Sequence, residues 1–241
     1  MLSKIIATEA RLFFREPGIW LLTILLPTIV LVVVGLIFGT EPDQALGGRR
    51  WIDTFAPSMV VMTLAILGVN TLPARLVKYR DKGVLRRLST TPAHPRSLLI
   101  AQLVVNMGVA LVSLGLLLVV GNLVLQIPFP QDLIGFGAAF LLGMSALFAL
   151  GLLVAAVAPS VGTANALFIP LFVLVMFLGG VYLPRAFLPE ILIRIGDYTP
   201  PGIQALLDAW SGTPPQLAQL AVMGLITVAA GAVAARRFRW E

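Results

Sequence analysis

Residues 133–184 read LIGFGAAFLLGMSALFALGLLVAAVAPSVGTANALFIPLFVLVMFLGGVYLP, 52 positions without a charged side chain. A helix needs about 20 apolar residues to cross a bilayer, so this run is long enough for two crossings. Ala158-Pro159-Ser160 divides it, because proline removes a helix hydrogen bond and restricts the residue before it. The same criterion works outward along the chain. Charge-free runs at 17–40, 54–74, 97–131 and 209–235 supply four more crossings. Six spans are expected at 18–39, 54–74, 98–125, 133–157, 162–183 and 215–235. The chain is therefore an all-α membrane protein, a single transmembrane domain over residues 1–241.

The whole composition agrees. Apolar residues make up 59% of the 241 positions and charged residues 12%, with a mean hydropathy of +0.97. Soluble domains hold about twice that share of charge. Six spans leave no room for a separate catalytic domain. There is no cysteine and one histidine, which excludes thiol chemistry and argues against a metal cluster. The net charge of +6 would fit nucleic-acid binding if it were spread over a surface, but its distribution follows the positive-inside rule instead. Thirteen Lys and Arg fall on the side of the two termini and of the second and fourth connections, against four on the other side. Both termini are thus expected in the cytoplasm.

Residues 1–16 run too long, and carry Glu9 and Glu16, for a cleaved signal peptide. Lys4, Thr8, Arg11 and Arg15 share one helical face and Leu2, Ile5, Ile6, Leu12 and Phe13 the other. This predicts an amphipathic helix lying in the interface. Glu9 sits on the apolar side, either reaching water at the helix edge or pairing with a cytoplasmic arginine. On the opposite side of the membrane, residues 184–214 carry Leu188, Ile191, Leu192 and Ile195, then Ile203, Leu206, Leu207 and Trp210, both at helical spacing. Two short re-entrant helices fit, the first with a Glu190–Arg194 i,i+4 pair.

The predicted spans hold no Asp, Glu, Lys, Arg or His, the usual mark of ion-coupled transport. No nucleophile–base pair is visible for an intramembrane enzyme, and His94 reads as a solvated loop residue. No G-x-x-x-x-G-K-[ST] sequence is present. Two stripes remain. Met59, Thr63, Ile66 and Asn70 share one face of the second span, and Phe168, Phe172 and Met176 one face of the fifth; Met and aromatic side chains suit a cavity for varied apolar ligands, or simple helix packing. Asn106, Asn122, Asn165 and Ser145 are expected to hydrogen-bond between helices, and Trp20, Trp51, Trp210 and Trp240 to mark membrane edges.

The connection at 75–96 carries seven basic residues. A charged stub, a turn at Gly83, Val84-Leu85 flanked by arginines, and a Thr91-Pro92 stop make a compact projection suited to docking on a soluble partner. Arg80-Asp81-Lys82-Gly83-Val84-Leu85-Arg86-Arg87-Leu88 followed by Thr91-Pro92 resembles the coupling helix of the ABC-2 type family of ABC-transporter membrane subunits. Arg15-Glu16-Pro17 with Pro27 and Gly35, and Gly179-Gly180-Val181-Tyr182-Leu183-Pro184 with Leu188-Pro189 and Tyr198-Thr199-Pro200, resemble other parts of that family in the same order. Asp81 departs from the family's usual Glu.

This resemblance implies a permease that binds no nucleotide itself. Two ATPase subunits carrying ATP and Mg would dock on Arg80, Asp81, Lys82, Gly83, Val84, Leu85, Arg86, Arg87, Thr91 and Pro92. A second permease chain, identical or paralogous, would complete the conduit, with the second- and fifth-span stripes as the path. The expected cargo is an amphiphilic drug, antibiotic or lipid exported across the plasma membrane of a bacterium. A glycan or lipid-linked polymer exporter of the same build is the alternative, favoured by a cavity-facing tryptophan row. A partner-free ion-coupled transporter ranks lower, and no nucleic acid is expected.

Overall fold

A computed structural model of the chain describes residues 2–38, 41–43, 49–84, 95–183 and 185–237. Helix α1 (Leu2–Arg15) precedes six helices long and apolar enough to span a membrane: α2 (Pro17–Phe38), α3 (Trp51–Asp81), α4 (Pro95–Leu125), α5 (Leu133–Val157), α6 (Val161–Leu178) and, after two short helices α7 (Glu190–Asp197) and α8 (Ile203–Trp210), α9 (Leu217–Arg237). The expected spans thus appear in number and order. The second is longer than expected, because the helix runs on through Arg75, Lys78 and Arg80 before it ends. A two-residue β pairing of Pro42–Asp43 with Arg49–Arg50 follows α2.

Helix α3 is the axis of the bundle, with 83% of its most apolar window buried, against 22–33% for α2, α4, α6 and α9. Lipid is as apolar as leucine, so close packing and polar contacts hold such helices together. Glycines permit the closest approach. A Cβ on Gly151 of α5 would stand 2.0 Å from the carbonyl oxygen of Gly68 in α3, and one on Gly68 2.8 Å from Cβ of Leu147. Helix α8 lies against α5 and α3, burying Ile203, Leu206 and Trp210, whereas α7 leaves Ile191 and Ile195 exposed.

Prolines shape α2 and α3. Pro17 starts α2 at a position where an amide hydrogen has no partner anyway. Pro27 cannot donate to the carbonyl of Thr23 four residues back, and a π turn over Leu21–Leu25 precedes it. The Ser113 hydroxyl of α4 donates to that oxygen at 3.1 Å and lies 3.2 Å from Oγ1 of Thr63 in α3. A second π turn, Ile66–Thr71, precedes Pro73 in α3. Ser113 thereby joins three spans, a role the sequence assigned to other residues. Asn106 and Ser145 donate to Gln102 O and Leu141 O of their own helices, Asn122 to the nearby Ile127 O, and Asn165 is exposed.

Two of the tryptophans are held by ring contacts. Trp210 is buried in an edge-to-face contact with Phe136, ring centroids 5.6 Å apart. Trp51 stacks between Phe38 and Phe187 at 5.4 and 5.7 Å. Trp240 lies outside the described residues.

Candidate functional site

The basic end of the bundle, where α1, the end of α3, the start of α4 and the end of α5 meet, concentrates the charged contacts. Helix α3 stops as a glycine-terminated helix should: Lys82 N donates to Lys78 O at 3.1 Å, Gly83 N to Arg80 O at 2.9 Å, and Gly83 adopts φ +64°. Its Cβ would meet nothing within 4 Å, so the demand for glycine is conformational rather than steric. Asp81 and Lys82 project into the open and Val84 is half-buried. Leu85, Arg86, Arg87, Thr91 and Pro92 of the expected docking element lie outside the described residues.

Arg80 turns the other way. Its guanidinium donates to Ala155 O at 3.1 Å and to Ala158 O, the last carbonyls of α5. Those oxygens have no partner within their helix, and they sit at the negative end of its dipole. Arg80 therefore fastens α3 to α5, which leaves Asp81 and Lys82 as the charges projecting from this helix end.

Glu9 is not at an exposed helix edge, and among the described residues it is bonded to no arginine. It is 4% exposed, accepts from the Tyr79 hydroxyl at 3.1 and 3.2 Å, and accepts from Gln102 Nε2 at 3.3 Å. Burial pushes its carboxyl above the usual carboxylate range. The bonds from Tyr79 and Gln102 and the nearby Arg75 charge oppose that shift without cancelling it. The cluster stitches α1 to α3 and α4. One signal for it was in the sequence, an acid on an apolar face, but its partners lie 70 and 93 residues away.

Between α2 and α3 an open groove of about 180 Å³ is lined by residues including Glu16, Ile19, Leu22, Thr23, Ile66, Asn70, Thr71, Arg75 and Lys78. Both π turns contribute to its walls. Arg75 was expected in a loop; it is buried on α3, its guanidinium carbon 5.1 Å from the centre of the Phe13 ring. Glu16 stands 3.8 Å from Arg75 and 4.0 Å from Lys78, long separations for ion pairs.

Of the seven stripe residues, Ile66 and Asn70 line this groove. Met59 and Thr63 are buried, Thr63 facing Ser113 of α4. The π turn inserts extra residues into the helical repeat, so positions before and after it no longer share one face. On α6, Phe168 and Met176 are buried and Phe172 half-buried, while Leu167, Ile169, Val173 and Leu174 face outward. None of the described tryptophans lines the groove.

No solved structure matches the chain. A relative from Bacillus subtilis (strain 168), "Putative transport permease YvfS", is 26% identical over 160 residues; the match covers 66% of this chain and 63% of the relative's length. The family model for the ABC-2 type transporter matches residues 2–202, from α1 to the turn before α8. That stretch holds the N-terminal helix, five of the six apolar spans and the basic connection, and the chain belongs to the ABC-2 type transporter family.

Proposed function

We propose that the chain is the permease subunit of an ATP-driven exporter of amphiphilic small molecules. Two copies of a separate ATPase, holding ATP and Mg, dock on the 75–96 element, and a second permease chain completes the conduit. Thirteen of the 17 Lys and Arg on one side favour cytoplasmic termini in a bacterial plasma membrane. Family membership supports the ATPase partner, since ABC-2 permeases work with one.

The observation that carries the reading is the end of α3. Exposed Asp81 and Lys82, closed by Gly83, continue without interruption into the most buried helix of the bundle. A push on this end enters the core of the protein directly, and Arg80 passes part of it to α5. A cysteine introduced at exposed Lys82 would be the sole thiol of this sequence and so can be labelled selectively.

Co-expression with a candidate ABC ATPase from the same genome, purification of the complex and reconstitution into liposomes test this. Gly83→Val, and Asp81→Ala with Arg87→Ala, should insert normally yet lose export while hydrolysis persists or falls. Transport by the isolated chain on an ion gradient, or labelling of Lys82→Cys from outside intact cells, would overturn the proposal.

A further inference from the structure

The groove between α2 and α3 has chemistry that neither helix packing nor ATPase docking uses. Its lining includes Arg75, a residue 7% exposed, whose Nη2 has no hydrogen-bond partner among the described residues. An unsatisfied buried cation is costly, and Glu16 at 3.8 Å is a distant counterion. Lys78, its side chain 54% exposed, stands at the mouth with the same acid 4.0 Å away. Thr23, Asn70 and Thr71 add polar groups. The other wall is apolar: Ile19 and Ile66 line it, and Leu22, 54% exposed, opens toward the lipid side. Glu9 lies near Arg75 but outside the groove; among the lining residues two cations face one acid at a polar edge continuous with an apolar flank, which complements one kind of molecule.

We infer that this groove binds an anionic phospholipid, its phosphate lying between Arg75 Nη2 and Lys78 and an acyl chain descending along Ile19 and Leu22. The headgroup displaces Glu16 as the counterion, so Glu16 competes with the ligand rather than assisting it. The site stands independently of the exporter reading; a lipid held here is bound whether or not the chain carries cargo.

The test uses full-length protein in nanodiscs of equal phosphatidylglycerol and phosphatidylcholine, released for native mass spectrometry. Wild type should retain phosphatidylglycerol in preference to phosphatidylcholine. Lys78→Gln should cut that preference about fivefold, the effect of one cation near an anionic headgroup. Glu16→Gln should raise it by a similar factor. Both positions are well exposed (54% and 46% of the side chain), and monodisperse elution of each variant checks that it folds. Opposite signs for the two substitutions are what a merely structural role would not give. Equal retention of the two lipids, the same direction of change in both variants, or displacement of phosphatidylglycerol by millimolar inorganic phosphate would each overturn the inference.

Discussion

The two ends of the bundle are held by different physics. At the basic end, side-chain hydrogen bonds and charges tie α1, α3, α4 and α5: Glu9 with Tyr79 and Gln102, and Arg80 with the last carbonyls of α5. At the opposite end the backbone is in near contact. A Cβ on Gly143 would lie 2.3 Å from Pro201 O, Gly179 packs against Val61, and Trp51 and Trp210 are fixed by ring contacts. Ion pairs occur there too: Arg185–Asp197 lies outside the spans, and Arg50–Asp53 holds the first turn of α3 to the residue before it, but neither joins two spans. One end is therefore sensitive to charge and the other to volume, and substitutions should separate the two.

The largest effect is expected from Gly143→Leu. The added side chain meets the Pro201 backbone, which cannot move like a flexible side chain, so a loss of about 1–3 kcal/mol or more is expected, read as a lowered thermal midpoint in detergent. Next comes Glu9→Ala, which strands Tyr79 Oη and Gln102 Nε2 and should cost about 1–3 kcal/mol; proteolysis of α1 should accelerate. Glu9→Gln keeps acceptor capacity and should cost less.

A pH series sharpens the same comparison. The Glu9 pKa is raised above its ordinary value of 4.5, so the protonated acid is the form the folded state prefers. Its contribution is fully present below pH 4.5 and declines as pH rises through the folded pKa. Half-buried Asp208 at the opposite end is raised as well, by desolvation above all. The difference between wild type and Glu9→Gln across the series isolates Glu9: the variant should lose part of the wild type's gain in acid. A constant difference at all pH values would remove Glu9 from the account.

Arg80→Ala should cost about 1 kcal/mol, the value of hydrogen bonds from a partly exposed charge to helix-end carbonyls, with faster hydrogen exchange at the last turn of α5. Arg194→Ala is expected to be smallest. Its pair with Glu190, 2.6 Å apart with both side chains at least 75% exposed, should contribute no more than about 0.5 kcal/mol of stability, leaving the thermal midpoint nearly unchanged.

The spans were legible because a bilayer forbids unpaired backbone and disfavours charge. Charge-free runs therefore had to be helices, and Leu133–Val157 has the boundaries expected for it. Ser160 caps α6 by accepting from Thr163 N, at the break the proline announced. Gly83 likewise read as a turn. What escaped was whatever depends on the third dimension. Glu9 is intelligible only beside Tyr79 and Gln102, and Trp210 only beside Phe136. Arg75 looked like a loop cation because nothing local says that α3 continues beneath α1. Asn70 looked like part of a continuous stripe because a π turn leaves no periodicity of its own.

The π turns carry a mechanical consequence. Each stores surplus backbone within an otherwise regular rod, and such a surplus can pass along a helix one residue at a time while both rod ends stay anchored. Each such step rotates the intervening residues about the rod axis by roughly a quarter of a revolution. Thr23 on one wall of the groove, and Ile66 and Asn70 on the other, belong to these segments, so the walls facing each other there can be exchanged without lengthening, tilting or unfastening either rod.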